Sequence, residues 1–234
     1  MRLVVLFDNT AAVNGLQEGW GFSCWVEGDG RVMLFDTGSH GDTLLANMEM
    51  LNLSPSRIEA VALSHFHWDH TGGLLDLLEE AEGIPVFMHR GFSKRFAKEV
   101  ARIGGSPRWV ENDTEVIPGV HITAPLPGII PESALVVRGE KGISVVTGCA
   151  HPGVVEMAEY VKRYFGEAPW LVMGGFHLLD LSHAQVKEVM GRLRDLGVKS
   201  VGPTHCTGEN AIAIFEQEWK EGFIPLGVGR VINL

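Results

Sequence analysis

Residues 65 to 70 read His-Phe-His-Trp-Asp-His, which places three imidazoles and a carboxylate within six positions. Neutral imidazole and carboxylate are the ligands that zinc and similar divalent ions prefer in proteins. A solvated loop has no need of three crowded histidines, and a core strand does not accept a carboxylate between them. The spacing therefore predicts two metal ions held side by side by this hexapeptide.

The segments beside the hexapeptide indicate how it faces the metals. Residues 58–64 are mostly apolar and end in a serine, a pattern typical of a short buried strand. His65 and His67 are two positions apart, so in extended chain their side chains point to the same side. Asp69 and His70 follow, where a Thr-Gly-Gly run must bend the chain. We expect the strand end to serve one metal and the turn to serve a second.

Composition limits the fold and the partners. The chain has 234 residues, 45% hydrophobic and 21% charged, which fits a single domain over 1–234 with two packed halves, about 1–125 and 126–234. A formal net charge of −10 opposes binding to nucleic acid or to anionic membranes. The first apolar run is too short for a signal peptide, and no run is long enough to span a membrane, so a cytoplasmic location is expected.

Short apolar segments alternate with turns and helical patterns throughout. Strands are predicted at 3–7, 22–26, 32–35, 60–63, 86–88, 121–123, 134–137, 143–146, 171–173 and 200–202. Helices are predicted at 42–50, 74–82, 92–103, 153–165, 183–196 and 209–220. This order favours two sheets packed face to face with helices outside them.

Local signals support several of these elements. The segments 24–26 and 31–35 flank a Glu-Gly-Asp-Gly turn and predict a hairpin. Ser182 and Gln185 form a capping box for the helix at 183–196. The stretch 118–131 contains four prolines and is predicted to be the loop that connects the two halves.

Five of the predicted strands are each followed at once by a polar group that can bind a metal. These groups are Asp36, the hexapeptide 65–70, Cys149 with His151, His177, and His205 with Cys206. In a layered fold of this kind, the loops at one end of the sheets form the site. With only three widely spaced cysteines, a disulfide framework is not expected.

The hexapeptide resembles the H-x-H-x-D-H signature of the metallo-β-lactamase superfamily. Residues 35–38, Phe-Asp-Thr-Gly, resemble the upstream Asp motif of that superfamily, and Thr204-His205 resembles its final His motif. The resemblance runs from Asn9 to about Gly229. It implies a four-layer αββα sandwich, of the α/β (α+β) class, with a dinuclear metal site in the groove at the sheet edges.

Four further segments resemble a narrower branch of the superfamily. They read Asp-Asn-Thr at 8–10, Gly-Cys-Ala-His at 148–151, Gly-Gly-Phe-His at 174–177 and His-Cys-Thr-Gly at 205–208. Together they are similar to 7,8-dihydropterin-6-methyl-4-(β-D-ribofuranosyl)aminobenzene 5′-phosphate synthases. That resemblance implies a step in methanopterin biosynthesis.

The chain departs from the common superfamily pattern at two places. The pattern has a third histidine after a Thr-Pro-Gly run, whereas residues 123–128 read Thr-Ala-Pro-Leu-Pro-Gly. It also has a bridging aspartate where this chain has Cys149. His151 is the natural replacement for the missing histidine, and Cys149 is either a thiolate ligand or a small buried residue.

The resemblance and its departures imply two ligand sets. The first-metal set is His65, His67 and His151, and the second-metal set is Asp69, His70 and His205. Three protein ligands per ion leave an open position for water, as a catalytic site requires. A water shared by the two ions would be hydroxide near neutral pH. We expect two divalent ions, with zinc favoured and manganese or iron as alternatives.

Other residues have candidate roles around these ligands, and Asp69, Asp36 and His177 are the candidate catalytic residues. Asp36 is predicted to hold a metal-binding histidine by its second ring nitrogen, the alternative being a residue that starts a turn. His177 is predicted to face the substrate or donate a proton, although it could also bind metal or be structural. Asn9 either lines the pocket or caps a turn.

The remaining histidines and the basic residues give weaker signals. His40, His89, His121 and His183 lack a matching context and are expected at the surface or in turns. The densest basic group is Arg90, Lys94, Arg95, Lys98 and Arg102. Its spacing favours a solvated helix face, with a pocket for a small anion as the alternative.

Three functions fit these residues. The leading hypothesis is a metal-dependent hydrolase of a small molecule, with phosphorylated molecules among the candidates. The second is a transferase in which the metals bind a diphosphate leaving group while an arene attacks a pterin methylene carbon, as the branch resemblance implies. The third is a non-catalytic module that binds metal without turnover.

Overall fold

The computed structural model describes residues 1–81 and 83–234, and it contains two β-sheets packed face to face. The strands are β1 (Arg2–Phe7), β2 (Ser23–Gly28), β3 (Arg31–Phe35), β4 (Ala60–Ala62), β5 (Pro85–His89), β6 (Ser106–Val110), β7 (Thr114–Ile117), β8 (Val120–Ile122), β9 (Leu135–Gly139), β10 (Gly142–Thr147), β11 (Leu171–Gly175), β12 (Ser200–Thr204) and β13 (Val231–Asn233).

Seven α-helices connect these strands in the described part of the chain. They are α1 (Gly41–Met50), α2 (Trp68–Thr71), α3 (Leu74–Glu80), α4 (Lys94–Arg102), α5 (Val154–Phe165), α6 (His183–Leu196) and α7 (Glu209–Trp219). Short 3-10 helices lie at Pro55–Arg57, His205–Thr207 and Lys220–Gly222. Among the described residues, no helix has the length and apolar content needed to cross a membrane.

Each sheet brings the carboxyl ends of its parallel strands to one edge. The first sheet has the order β13-β1-β2-β3-β4-β5-β6, and β3 to β6 run parallel. The second has the order β12-β11-β10-β9-β8-β7, and β10 to β12 run parallel. Asp36, His65, Cys149, His177 and His205 all lie just beyond such ends, so the two sheets deliver them to a common groove.

Three apolar clusters hold the layers together. Leu3 and Val5 of β1 belong to the cluster between the two sheets, whereas Val4 belongs to the cluster under α1, α3 and α4. This alternation follows from the two-residue period of a strand, which sends successive side chains to opposite faces. The third cluster joins the second sheet to α5, α6 and α7. The arrangement confirms the predicted αββα sandwich.

All ten predicted strands and all six predicted helices are present, with ends that differ by at most two residues among the described positions. The end predicted at residue 82 lies outside the described residues. The hairpin of β2 and β3 is confirmed, and so is the capping box of Ser182 and Gln185.

The sequence prediction missed β6, β7, β13 and the four-residue helix α2. All three missed strands lie at sheet edges. An edge strand buries less of its length and tolerates proline and charge, so it lacks the apolar run of a central strand. Pro107 and Arg108 in β6 illustrate this.

The stretch 118–131 differs from its prediction as a connecting loop. The chain passes from the first sheet to the second at residues 111–113, between β6 and β7, and β8 lies inside the stretch. After β8, Leu126 and Glu132 pair across a short loop through two backbone hydrogen bonds of 2.9 and 3.2 Å. These bonds fix the backbone of Glu132.

Candidate metal centre

The hexapeptide lies at the end of β4, and α2 turns its second half back toward the groove. Gly72 and Gly73 follow with negative φ angles, so the bend predicted at the Thr-Gly-Gly run needs no left-handed backbone. They allow close approach instead: a Cβ on Gly72 would lie 2.1 Å from the Ser39 carbonyl oxygen, and one on Gly73 would lie 2.4 Å from that of Thr37. The loop after β3, which contains Thr37 and Ser39, therefore packs directly against the end of the hexapeptide region.

Asp36 is fully buried and links two parts of the hexapeptide region. Its Oδ2 accepts hydrogen bonds from Ser64 Oγ at 2.6 Å and His70 Nδ1 at 2.7 Å, and its Oδ1 accepts one from the Ser64 backbone N–H at 2.7 Å. With Nδ1 donating to this carboxylate, His70 presents Nε2 to the groove. Asp36 thus makes the contact predicted for it, a hydrogen bond to the second ring nitrogen of a candidate metal-binding histidine.

His65 is oriented through Ser64. Its Nδ1 lies 2.9 Å from Ser64 Oγ, and that hydroxyl donates its proton to Asp36. Ser64 Oγ must therefore accept from His65 Nδ1–H, which leaves the lone pair of His65 on Nε2. The Nε2 atom lies 3.1 Å from Nδ1 of His67, so these two imidazoles face one another at the mouth of the groove.

Glu132 holds the opposite loop through its backbone. Its Oε1 accepts the backbone N–H groups of residues 148, 149 and 150 at 3.0, 2.9 and 2.9 Å. Its Oε2 accepts from the backbone N–H of His151 at 3.0 Å and from its Nδ1 at 2.9 Å. Four consecutive N–H groups thus surround one buried carboxylate, an anion-binding nest occupied by the protein itself. The same contact leaves His151 Nε2 with its lone pair.

His205 is oriented by Asn9. Its Nδ1 lies 3.0 Å from Asn9 Oδ1, and Asn9 Nδ2 donates to the His205 carbonyl oxygen at 3.3 Å. The backbone beneath is fixed by Thr204, whose hydroxyl lies 2.6 and 2.8 Å from the two carboxylate oxygens of buried Asp8. The Nε2 atom of His205 is buried without a hydrogen-bond partner and lies 3.3 Å from Asp69 Oδ2.

These contacts direct four imidazole lone pairs toward the same space, around Cys149. Three groups of potential ligand atoms, each within 4.8 Å of one another, are found among the described residues: Asp69, His70, Cys149 and His205; His65, Cys149 and His151; and Cys149, His177 and Cys206. The Nε2 atom of His205 has no hydrogen-bond partner, and those of His65 and His70 have only His67 Nδ1 and Cys149 Sγ beside them, so these nitrogens are poorly satisfied without a cation. The donor set therefore fits one or more divalent metal ions.

The groups differ from the predicted ligand sets at His67, which lies outside them, and at Cys149, His177 and Cys206, which they add. His67 is half-buried. It contacts the group of His65, Cys149 and His151 through His65 Nε2 and through a ring contact with His151, whose centroid is 5.0 Å away. Cys149 is common to all three groups, and its Sγ lies 3.2 Å from His70 Nε2. His177 is exposed, and its ring centroid lies 4.6 Å from that of His151.

Backbone strain is concentrated at the same loops. Asp36, Ala150, His177 and His205 have φ angles of 55°, 57°, 54° and 51°, in the left-handed region that non-glycine residues avoid. Each costs roughly 1–2 kcal/mol relative to the right-handed conformation. Such positions persist only where surrounding contacts over-determine them, and they collect at functional sites.

Charge is distributed so that carboxylates oppose imidazoles. Burial lowers the pKa of His65, so this ring is held neutral, as a metal ligand must be. Burial alone would lower the pKa of His70 as well, but the charge of Asp36 and its hydrogen bond raise it to about 9, so a metal ion at Nε2 must displace a proton from this ring. Burial would raise the pKa of Glu132, yet the hydrogen bonds and positive potential of the nest keep it below its usual range.

Sequence reasoning missed three buried residues that support the ligands. Glu132 and Ser64 carry no recognisable motif, and His89 was expected at the surface or in a turn. His89 is instead 1% exposed; its Nε2 donates to the Ser64 carbonyl oxygen at 3.0 Å, and its Nδ1 accepts the Gly91 N–H at 3.0 Å. The signal that identifies all three is a contact across the fold, which spacing along the chain does not contain.

The groove opens toward solvent beside His205. A cavity of about 370 Å³ there is lined by Asn9, Trp20, Leu179 and the first turn of α7. Trp20 stands 4.9 Å from the His205 ring, centroid to centroid, and 45% of it is exposed. Phe66 and Trp68 of the hexapeptide are also exposed rather than packed beneath the site. Trp20 therefore offers an aromatic face to a small molecule at the mouth, whereas Phe66 packs on Phe92 and Phe96.

A family model described as the metallo-beta-lactamase superfamily matches residues 21–164 of the chain. A 7,8-dihydropterin-6-methyl-4-(beta-D-ribofuranosyl)-aminobenzene-5′-phosphate synthase of Methanocaldococcus jannaschii is 30% identical over an alignment that covers 100% of this chain and 96% of that protein. A second, uncharacterised protein of the same organism is 25% identical and covers 98% of this chain and 99% of its own.

Solved structures show the same similarity. Tm1679, a metal-dependent hydrolase of the beta-lactamase superfamily, superposes with a TM-score of 0.86 at 28% identity, covering 100% of this chain and 99% of its own. YhfI of Bacillus subtilis, a metallo-beta-lactamase fold protein, gives a TM-score of 0.74 at 14% identity over 99% of both chains, which shows the fold alone.

Proposed function

The chain belongs to the metallo-beta-lactamase superfamily, and from that premise we propose that it is a metal-dependent hydrolase of a small molecule. The observation that carries the proposal is the convergence of four imidazole Nε2 atoms on the space around Cys149, each ring being oriented by a hydrogen bond that its Nδ1–H donates. A structural metal site would close its coordination with protein ligands, whereas this groove opens to a cavity beside His205.

The residues divide into two proposed sets that share Cys149. Asp69, His70 and His205 would hold one ion, and His65, His151 and the peripheral His67 would hold the other. Imidazole, carboxylate and thiolate ligands together favour zinc, although manganese and iron are alternatives. Divalent ions at such a site polarise a carbonyl or phosphoryl oxygen and lower the pKa of water.

The protein residues would contribute orientation and a proton. Asp69 Oδ2 lies 3.3 Å from His205 Nε2 and 3.8 Å from His70 Nε2, so its carboxylate can both ligate and position the reacting group. His177 lies on the solvent side of His151 and is exposed, a placement that lets it exchange a proton with a leaving group. The net charge of −10 favours a small molecule over nucleic acid.

Metal content and turnover test the proposal together. We expect elemental analysis of the purified protein to find two ions per chain, and to find a loss in His151→Ala and in His205→Ala. His183→Ala, which removes an exposed histidine outside the groove, is the control and should keep both ions. We also expect cleavage of phosphodiester or ester substrates that stops when a chelator is added and returns with metal.

Two results would overturn this assignment. Retention of both ions in His151→Ala would remove that residue from the ligand set and direct attention to His177. Tight metal binding with no turnover on any phosphate or carboxylic ester would instead support a non-catalytic metal-binding module.

A transferase is the second candidate, because the 30% identical relative is a synthase and the similarity spans the whole chain. The thiol of Cys149, where a bridging carboxylate is common in the superfamily, is compatible with a reaction that needs no activated water. Incubation with the dihydropterin methyl diphosphate and ribofuranosylaminobenzene 5′-phosphate tests it. A condensation product with release of diphosphate would favour the transferase, and ester cleavage without that product would exclude it.

A further inference from the structure

A second cavity lies outside the metal centre, between helix α4 and the edge strand β6. Its volume is about 640 Å³, within the range of sites that bind small molecules. The space exists because Ala97 and Ala101, one turn apart on α4, present only methyl groups toward Trp109 of β6. Phe92 closes the inner end, where it packs on Phe66 with ring centroids 5.5 Å apart.

The charges around this cavity are unbalanced. Lys94 and Lys98 are one helical turn apart, and both line the cavity. Within the described part of the chain, neither ammonium has an ion-pair partner, whereas Arg90 is already bonded to Glu111 at the rim. A chain with a net charge of −10 therefore keeps two unpaired cations beside an apolar cavity.

We propose that this cavity, between α4 and β6, binds a planar aromatic anion: a flat ring that carries a phosphate, sulfonate or carboxylate group. The indole of Trp109 is 44% exposed and offers a face on which such a ring can stack. Lys94 and Lys98 supply the cations for the acidic group, at the spacing that lets both reach one anion. Among the described residues, none of the grouped candidate metal ligands lines the cavity, so this site is separate from the metal centre.

The charge pattern argues against a second copy of the chain as the occupant. A copy would bring its own net charge of −10, and its surface would have to insert an apolar group between Ala97 and Trp109. A small ring fits the cavity volume without burying the flanking lysines, whose ammonium groups remain hydrated and available to an anion. The volume of the cavity and its apolar wall also disfavour an inorganic anion, because such an ion would leave that wall exposed to water.

Naphthalene-1-sulfonate is a suitable probe, with naphthalene-1-sulfonamide as its neutral analogue and inorganic sulfate as the anion alone. Binding is measured by titration calorimetry and by NMR of the tryptophan indole N–H signals, with Trp109→Phe used to assign that signal. We expect the sulfonate to bind, the Trp109 signal to shift, and the two partial probes to bind at least about fivefold more weakly, the size of one lost ion-pair or stacking contact. Trp109→Ala should weaken binding about tenfold, as loss of a stacking partner does.

The lysines provide a matched comparison. Lys94→Ala and Lys98→Ala should each weaken sulfonate binding roughly threefold to fivefold, since exposed charge pairs contribute modestly. Arg95→Ala removes a charge from the same helix outside the cavity and should change binding by less than a factor of about two. Equal losses in Arg95→Ala and Lys98→Ala, or no detectable binding of the sulfonate, would overturn the proposal. A shift at Trp20 that disappears after metal chelation would place the probe at the metal centre instead.

Discussion

The two sides of the metal centre are built by different uses of a buried carboxylate. On the first-sheet side, Asp36 bonds to two side chains, those of Ser64 and His70, and to one backbone N–H. On the second-sheet side, Glu132 bonds to four consecutive backbone N–H groups and one imidazole. Asp36 therefore orients ligands on a backbone that the strand already fixes, whereas Glu132 fixes the loop itself.

The backbone of the two sides is joined at the Ser64 carbonyl group. The Ser64 oxygen accepts the Ser133 N–H at 2.9 Å, and it also accepts His89 Nε2–H at 3.0 Å. Ser133 follows Glu132, so this backbone hydrogen bond joins the glutamate loop to the start of the hexapeptide. The comparison predicts that loss of Glu132 harms folding most, and that loss of Asp36 harms metal binding more than folding.

Removal of Glu132 should have the largest effect. Glu132→Ala leaves four buried N–H groups unpaired around the strained Ala150, and we expect the free energy of unfolding to fall by about 3–5 kcal/mol. Glu132→Gln keeps an acceptor oxygen but loses the charge, and about half of that loss is expected. Chemical denaturation of the purified and the metal-depleted proteins measures both.

The exposed Glu115 provides the control for this experiment. Its carboxylate accepts the Gly119 backbone N–H at 2.9 Å in a solvated turn. Because water replaces that bond, Glu115→Ala should cost less than about 1 kcal/mol. A similar loss in Glu132→Ala and Glu115→Ala would show that the nest around Glu132 contributes no special stability, and the contrast with Asp36 would fail.

Replacement of Asp36 should act on metal affinity. Asp36→Asn keeps the size of the side chain but removes the charge opposite His70 Nδ1–H, and loss of such a supporting carboxylate lowers metal affinity about 10- to 100-fold. Competition with a chromophoric chelator measures the change. Ser23→Ala is the control, because Ser23 Oγ donates to the Asp36 carbonyl oxygen at 2.8 Å and does not touch the carboxylate. Equal affinity in the wild type and Asp36→Asn would contradict the assigned role.

A smaller effect is expected at Asn9, which orients His205 without a charge. Asn9→Ala should lower metal affinity about tenfold, at the lower end of the range for supporting residues. Asn9→Asp keeps an acceptor for His205 Nδ1–H and should restore most of the affinity. Asn210→Ala changes the same cavity away from that imidazole and is the control. If Asn9→Ala binds metal as the wild type does, Asn9 only lines the cavity.

The same contrast explains what the sequence predicts. The hexapeptide and Asp36 are identifiable because each is contiguous with a central strand, and central strands have clear apolar patterns. Glu132 lies sixteen residues before Gly148 and contacts backbone N–H groups. Because such groups do not depend on the type of side chain, the contact leaves no pattern in the sequence. The missed strands β6, β7 and β13 are edge strands with weak patterns for the reason given above. Spacing thus predicts which candidate ligands come together, and it predicts the partners that orient them only when both lie at neighbouring strand ends.

The smallest expected effect concerns His89 and depends on pH. Burial lowers the pKa of His89 below its ordinary value of 6.5, so the folded protein holds this ring neutral while the unfolded chain protonates it in acid. Stability from the neutral ring is therefore complete above pH 6.5 and is lost as pH falls through the lower folded value. His89→Gln removes the titrating group, so its cost in unfolding free energy, about 1–2 kcal/mol at pH 7.5 for a buried hydrogen bond, should shrink by up to about 1 kcal/mol at pH 5.5. Denaturation curves at both pH values measure this difference. A cost that stays constant or grows in acid would contradict the prediction. It would mean that the ring is protonated in the folded state and donates to the Ser64 carbonyl oxygen as a cation.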